Sequence, residues 1–193
     1  MIRKVNKKDD LLKVAELIYS TDEELFSFLF GKKEKAIFKL ARLVEKESNV
    51  FSCKNIYGYF DKELKGILIV YDLKSRDTQG KSKDFMEVFS LVELFILFLK
   101  SVILKNLMSL EGLEGLYIQN ISVDKRFRGQ GLGTKLLEYC IRVAKKEGYK
   151  EIYLDVEKSN RAKNLYLRKG FKIIDEKRSI IRKFSIYRMK KDI

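Results

Sequence analysis

The chain has 193 residues, with 41 Lys and Arg against 27 Asp and Glu, a formal net charge of +14, two cysteines, no proline and no histidine. Such a length suits one core, or one core with an insertion. The absence of histidine excludes a His-based catalytic triad, and a metal site is not expected, because Cys53 and Cys140 lie far apart without metal-ligand spacing.

In chain order, Ile2 to Val5 reads as a first strand. Asp9 or Asp10 can cap a helix running to Tyr19, with Leu11, Val14, Ala15 and Ile18 on one face. A second helix, about Lys33 to Glu47, gathers Ile37, Leu40, Ala41 and Val44. Ile56 to Phe60 and Gly66 to Tyr71 are strands joined by a hairpin over Asp61 to Lys65. The polar stretch Lys74 to Lys83 reads as a surface loop. Phe85 to Met108 predicts one long helix of about six turns. Glu87, Ser90, Ser101 and Lys105 give it a polar stripe, but Leu94 to Leu99 is apolar all round. Glu87, Glu93 and Lys100 interrupt it too often for a membrane span, which needs about 20 apolar residues. Leu94 to Leu99 are therefore expected to be buried, against the sheet and a second surface. That surface is a partner subunit, which favours a homodimer, or the wall of a hydrophobic pocket, or a shallow membrane contact. Strand 116–123, amphipathic helix 132–146, strand 151–156, short helix 161–169 and strands 171–176 and 184–189 complete the chain. Cys140 falls on the apolar face of the 132–146 helix, which predicts a buried core thiol.

The most informative stretch is Val123-Asp124-Lys125-Arg126-Phe127-Arg128-Gly129-Gln130-Gly131-Leu132-Gly133-Thr134, between a strand and a helix. The first turn of a helix exposes free N–H groups, and the helix dipole adds to their attraction for phosphate oxygens. Gly129, Gly131 and Gly133 let a ligand approach the backbone with no Cβ in the way. Lys125, Arg126, Arg128 and Lys135 surround the turn with positive charge. It looks built to hold a pyrophosphate. No Gly-Lys-Ser/Thr follows at Walker A spacing, and the order Gly129-x-Gly131-x-Gly133 is not the dinucleotide fingerprint.

The order Arg128-x-x-Gly131-x-Gly133 instead resembles the coenzyme A signature of the GCN5-related N-acetyltransferases, the GNAT family. Downstream, Asn160, Ala162, Leu165, Tyr166 and Gly170-Phe171 resemble that family's Asn-x-x-Ala-x-x-Leu-Tyr-x-x-x-Gly-Phe run. The resemblance covers about residues 116 to 176, is only a pattern of elements over 1 to 73, and is absent over 74 to 115. It implies an α/β (α+β) fold, a mixed central sheet of about seven strands flanked by helices. The extra apolar helix is then inserted between the third and fourth strands. One N-acetyltransferase domain is expected over 1–193, with the insertion at about 74–115.

What the resemblance implies about chemistry is specific. Acetyl-CoA lies where two parallel strands splay apart, here 116–123 and 151–156. Its pantetheine arm pairs with the backbone of Ile121, Ser122 and Val123. Backbone N–H groups of Arg128, Gly129, Gln130, Gly131, Leu132, Gly133 and Thr134 hold the pyrophosphate, and the Thr134 hydroxyl adds a bond. A primary amine, either a protein or peptide N-terminus or a small molecule, attacks the thioester directly in a ternary complex, without a covalent enzyme intermediate and without a metal. A backbone N–H near Ile121 to Val123 steadies the oxyanion. Tyr166 matches the family's general acid, since a phenol is protonated at neutral pH. Asp155, in Leu154-Asp155-Val156, matches a strand carboxylate that serves some relatives as base, and burial would strengthen it as a proton acceptor. The other reading of Asp155 is a carboxylate tied to a backbone or Arg partner, with Glu23 and Glu24 as acceptor-side alternatives. Asn160 stands six residues before Tyr166 where the family usually has seven, so either Asn160 or Ser159 faces the cofactor.

The positive charge is open to three readings: a solvated Lys-rich surface, help in binding a polyanionic cofactor, or nucleic-acid binding, for which no RNA-binding signature is present. The charged N-terminus lacks a signal-peptide core, so a reducing, cytoplasmic setting is expected. A catalytically silent acyl-CoA-binding sensor or interaction module is the rival to an enzyme. Neither the acceptor nor the oligomeric state can be read from these residues.

Overall fold

A strand that is apolar on both faces needs a packed layer on each side, and the run Gly66 to Tyr71 is such a strand. The computed structural model describes residues 1–75, 83–181 and 183–193. This run is the core of β3 (Glu63–Asp72), in a seven-stranded sheet with β1 (Ile2–Lys4), β2 (Ile56–Asp61), β4 (Leu116–Val123), β5 (Glu151–Glu157), β6 (Lys172–Arg178) and β7 (Ser185–Asp192). The spatial order is β1-β2-β3-β4-β5-β7-β6. Every neighbouring pair is antiparallel except β4 with β5.

Because side chains alternate along a strand, β3 serves two cores. Ile67 and Ile69 face the layer made by α1 (Leu11–Tyr19), α2 (Glu23–Phe30) and α3 (Lys33–Glu45), where Val14, Ile18, Leu40 and Val44 are fully buried. Leu68 faces the other side, against Leu136, Leu137, Cys140 and Ala144 of α7 (Leu132–Lys146). Cys140 is buried there, and desolvation pushes its thiol up to about 12, so it is an inert core thiol. The β2–β3 turn is tighter than the sequence suggests. Asp61 pairs directly with Glu63, and Lys62 takes the left-handed φ of 62°.

Two helical expectations need correction. The sequence reading leaves residues 23–30 between helices, yet Glu23–Phe30 forms α2, capped by the Asp22 carboxylate, which accepts from the Leu25 N–H at 2.8 Å. The segment expected to be one long helix is three: α4 (Lys83–Val88), α5 (Leu91–Ile103) and α6 (Lys105–Met108). The break at Ser90 is a capping box. Glu93 N–H donates to the Ser90 hydroxyl, and Ser90 N–H donates back to the Glu93 carboxylate. In the expected surface loop, Leu73–Ser75 is a turn of 3-10 helix, and residues 76–82 lie outside the described residues.

Leu94 to Leu99 are not buried as a block. Leu94 and Leu97 pack against the α1–α3 core, but Phe95 is 63% and Phe98 62% exposed, and Ile96 and Leu99 also face outward. One stripe of α5 is thus glued down and the opposite stripe is bare. Lys35 and Lys39 reach Glu93 at 2.6 and 2.7 Å, and Lys100 donates to the Leu29 carbonyl at 3.4 Å. Among the described residues no helix is long and apolar enough to cross a membrane.

The two stripes make a testable contrast. Leu97→Lys puts a charge into packed apolar surface and is expected to destabilise the fold by about 2 kcal/mol or more. Phe95→Lys is expected to stay within about 0.5 kcal/mol of wild type when both are measured dilute enough to exclude association. Urea denaturation of both variants reads the difference, and equal stabilities would show that α5 is not seated on that stripe.

Candidate active site

The site begins where two strands stop pairing. β4 and β5 are in register at Leu116 with Ile152, Tyr117 with Tyr153 and Ile118 with Leu154, and there the ladder ends. β4 continues to Val123 along β3, and β5 continues to Glu157 along β7. The divergence coincides with a bulge. Ile69 pairs with Asn120 and Val70 with Ile118, so Gln119 is the extra residue, and a bulge of this kind bends its strand. Between the splayed ends opens a cleft of about 440 Å³, lined on the strands by Tyr117 to Ile121 and Leu154 to Glu157. Two contacts hold the end of α1 against β4: Ser122 Oγ to Ser20 Oγ at 2.9 Å, and Asn120 Nδ2 donating to Thr21 Oγ1 at 2.7 Å.

The glycine turn sits beside this gap. Gly129 and Gly131 have φ of 80° and 74°, a region that favours glycine. Nothing lies within 4 Å of where a Cβ would stand on either. Gly131 is the N-cap of α7 and offers no side-chain cap, so the first N–H groups of the helix face open space. Leu132 is buried and anchors the helix start, while Gly129, Gln130 and Gly131 are exposed and Thr134 is half-buried. The Arg128 guanidinium folds back to the Val123 carbonyl at 3.1 Å. The cationic rim is thinner than the sequence suggests, because Arg126 is committed to Asp124 at 3.0 Å and Glu63 at 2.8 Å. An uncapped helix start next to a strand edge freed from its ladder is a donor set that fits a pyrophosphate and an amide-bearing arm.

Ile121 lines the cleft, and the backbone of Ile121, Ser122 and Val123 pairs with β3 on one side only. Asn160 also lines it, with its Oδ1 accepting from the Ala162 N–H at 2.9 Å. Ser159 is turned away onto the Glu157 carboxylate at 2.6 Å, so of the two it is Asn160 that borders the gap. Tyr166, on α8 (Lys163–Arg168), is buried and borders the same space, its ring edge-on to Phe171 at 6.0 Å. Its hydroxyl has no hydrogen-bond partner among the described residues. Burial pushes that hydroxyl up to about 12, so it holds its proton across the neutral range.

Of the two readings of Asp155, the geometry matches the carboxylate tied to an Arg partner. Its Oδ1 accepts from Arg188 Nε at 2.8 Å and its Oδ2 from Arg188 Nη2 at 2.7 Å, and the Tyr117 hydroxyl donates to Oδ2 at 3.0 Å. Both oxygens of this carboxylate are taken up by a bidentate guanidinium pair, so neither is free to meet an incoming amine. Burial works against the charge on Arg188, but Asp155 outweighs it and raises the guanidinium further. Burial and the Asp155 charge hold the Tyr117 hydroxyl well up, so it remains a donor. The second face of Arg188 explains the arrangement: Nη1 donates to the Ser109 carbonyl at 2.7 Å and Nη2 to the Leu107 carbonyl at 3.4 Å. The pair pins the end of the inserted helices onto the sheet.

The acids that sequence reasoning missed are Asp22 and Glu157, which both line the cleft. Burial, and then the charges of Glu157 and Glu24, push the Asp22 carboxyl up, against the Leu25 N–H that pulls it down. Glu23 and Glu24 point elsewhere, to Lys125 at 3.7 Å and Lys183 at 2.9 Å. The signal for Asp22 was its position before a Glu-Glu-Leu-Phe run, an N-cap pattern. No group of three or more potential metal ligands stands together among the described residues.

Residues 103–171 match the family described as acetyltransferase (GNAT). Over 60 residues, 31% of this chain and 21% of the other, it is 37% identical to GCN5-related N-acetyltransferase 6, chloroplastic, of Arabidopsis thaliana. Over 56 residues, 28% of this chain and 37% of the other, it is 41% identical to N-alpha-acetyltransferase 30 of Schizosaccharomyces pombe. The matched segment thus spans well under half the length of either relative. A crystal structure described as an acetyltransferase superposes over 100% of this chain and 99% of its own, with TM-score 0.70 and 26% identity.

The Asp155 geometry predicts a stability phenotype. Asp155→Asn leaves Arg188 buried without its counter-charge, and is expected to cost about 3 kcal/mol. The double variant Asp155→Asn, Arg188→Met should recover part of that loss. Urea titrations decide: an Asp155→Asn protein of wild-type stability would return the residue to the list of possible bases.

Proposed function

We propose that the chain is a GNAT acetyltransferase, as the match over residues 103–171 supports, and that it transfers the acetyl group of acetyl-CoA to a primary amine in a ternary complex. The observation that carries this reading is the conjunction of a splayed β4–β5 pair, an uncapped α7 start beside it, and a protonated Tyr166 hydroxyl on the same cleft. We read residues 1–193 as one catalytic unit in which about 74–115 is an insertion.

Acetyl-CoA supplies an activated acyl thioester. The N–H groups of residues 128–134 receive its pyrophosphate, and Thr134 is placed to add a hydroxyl donor. The free edge of Ile121, Ser122 and Val123 receives the pantetheine amides as a further strand would. A backbone N–H of the same edge donates to the thioester oxygen as charge develops on it. Asn160 steadies the arm from the β5 side. The incoming ammonium first gives one proton to a carboxylate of the cleft or to water. The amine nitrogen then forms the C–N bond as the C–S bond breaks. Tyr166 donates its proton to the departing sulfur and is reprotonated by the proton that the new amide nitrogen sheds through solvent. The net products are an N-acetyl amide, CoA thiol and one proton.

The rival reading, a silent acyl-CoA-binding module, draws support from the engagement of Asp155 by Arg188. Release of free CoA with an amine present separates the two. In our reading the bare stripe of α5 receives a second copy of the chain, since adjacent exposed Phe and Leu side chains favour association. Phe95→Lys, monitored by light scattering, tests this.

Two variants test the site itself. Gly131→Asp adds negative charge where the phosphates are to sit, while Gly131→Asn has the same shape, tolerates the left-handed backbone equally well and adds none. Acetyl-CoA is expected to raise the melting temperature of wild type and of Gly131→Asn, but to do so far less for Gly131→Asp. Equal shifts for the two variants would place the pyrophosphate elsewhere. Tyr166→Phe is expected to lower turnover by about 10²-fold with little change in acetyl-CoA affinity. Undiminished CoA release would reduce Tyr166 to a packing residue.

A further inference from the structure

The cleft extends well beyond what the β4–β5 gap needs. Its inner wall is built by three elements outside the sheet: Leu25 and Leu29 of α2, Leu97 of α5 and Met108 of α6, with Ile186 of β7 below. This chamber exists because the insertion is held over the sheet by Arg188 and because α5 seats Leu97 inward. It is apolar and roomy enough for a bulky side group. Asp22 and Glu157 line the same cleft as Tyr166 and Asn160, and the Glu157 charge acts on the Asp22 carboxyl.

Two carboxylates of this cleft stand without a cation. With 41 Lys and Arg against 27 Asp and Glu, cations are abundant. Yet neither Asp22 nor Glu157 has an ion-pair partner among the described residues, and the interactions that shift Asp22 include no positive charge. Asp22 uses one oxygen as the α2 cap, and Glu157 bonds Ser159. In the same wall Asn120 Oδ1 is buried without a hydrogen-bond partner, its amide orientation fixed because Thr21 spends its own proton on the Ile18 carbonyl at 2.6 Å. Two carboxylates without a cation and one amide oxygen without a donor border an apolar chamber in a strongly basic protein. A ligand that ends in a cation and continues as hydrocarbon satisfies all of them.

We propose that the acceptor is a primary amine borne on a bulky apolar group, with the ammonium held between Asp22 and Glu157 and the apolar group seated in the chamber walled by α2, α5 and α6. This rests on the acetyl-transfer reading and deepens it. In the reaction, Asp22 takes the first proton of the ammonium, and the chamber aims the freed nitrogen at the gap where Tyr166 waits. The same chemistry is offered by a free arylalkyl- or alkylamine and by a peptide whose first residue is Leu, Met or Phe.

The experiment uses the full chain. CoA release is followed with 2-phenylethylamine, hexylamine, ethylamine and ethanolamine, and with short peptides beginning with Leu, Phe, Gly or Ser. Amine binding is followed separately by thermal shift without acetyl-CoA. Bulky apolar amines are expected to exceed small or polar ones in kcat/KM by at least about tenfold, the discrimination a hydrophobic pocket commonly gives. The peptide arm and the small-amine arm show which source is used. Asp22→Asn keeps a good helix cap and is expected to raise KM for the amine about tenfold, on the order of losing one charge-assisted contact, with acetyl-CoA affinity unchanged. Met108→Lys, at a half-exposed position, is expected to weaken amine binding while the fold persists. Equal turnover of ethylamine and 2-phenylethylamine, or an Asp22→Asn protein with wild-type KM, overturns the inference and leaves acetyl transfer standing. Binding of bulky amines that Asp22→Asn weakens, with no CoA released from any of them, keeps the amine site and overturns acetyl transfer. Neither binding nor release overturns both.

Discussion

Everything at the site depends on a failure of pairing. Three residue pairs join β4 to β5, and after Ile118 and Leu154 the two strands part. A parallel ladder that ran to the strand ends would satisfy the β4 backbone and close the cleft. The Gln119 bulge prevents that by bending β4 away. The result is a strand edge with free backbone groups inside a sheet, where edges are normally absent. Such an edge is tolerated only where something else will satisfy it. The neighbouring α7 start, uncapped and glycine-bordered, is a second set of unsatisfied donors a few residues away. Two deficits placed side by side define the site more sharply than any single side chain.

The second organising contact is the Asp155–Arg188 pair. It binds β5 to β7 across the sheet and ties both to the carbonyls of Leu107 and Ser109. Tyr117 completes it from β4. Ion pairs this buried contribute little net stability relative to apolar packing, but removing one partner is destructive. Its value is positional, since it sets the height of the inserted helices over the cleft.

Sequence reasoning reached the sheet, the glycine turn and the border residues because these are local. Periodicity exposes β3, α1 and α7, and spacing exposes Gly131 and Tyr166. It failed on two kinds of information. The first was local but overlooked: Asp22 before Glu23-Glu24, and Ser90 three residues before Glu93, are cap signatures that announce α2 and the break before α5. The second was not local. Asp155 and Arg188 are 33 residues apart, and Arg188 and Ser109 are 79 apart. An Arg partner for Asp155 is one of the two readings open from the sequence, but no pattern on a single strand says which arginine it is or that it comes from β7. The apolar run of α5 shows a third limit. Hydrophobicity indicates that a face seeks cover, but not whether this chain supplies the cover, and here it covers Leu94 and Leu97 while leaving Phe95 and Phe98 bare.

The position of β7 has a consequence for the order in which the molecule is built. β7 is the last strand of the chain, yet it lies between β5 and β6, and it carries the arginine that fastens residues 107 and 109. A ribosome releases α5 and α6 long before Arg188 exists. Until then the inserted helices lack their tie to β7, although Leu94 and Leu97 of α5 can already pack against the α1–α3 layer, and Phe95 and Phe98 stand open to other nascent chains. The β3–β4–α7 half packs largely on itself, with Phe171 and Met189 completing its core. The half that carries the glycine turn is therefore able to begin forming first, and the chamber over it closes only when β7 inserts. Without Arg188 the roof over the cleft would lose its tie to β7, at carbonyls far along the chain from the glycine turn.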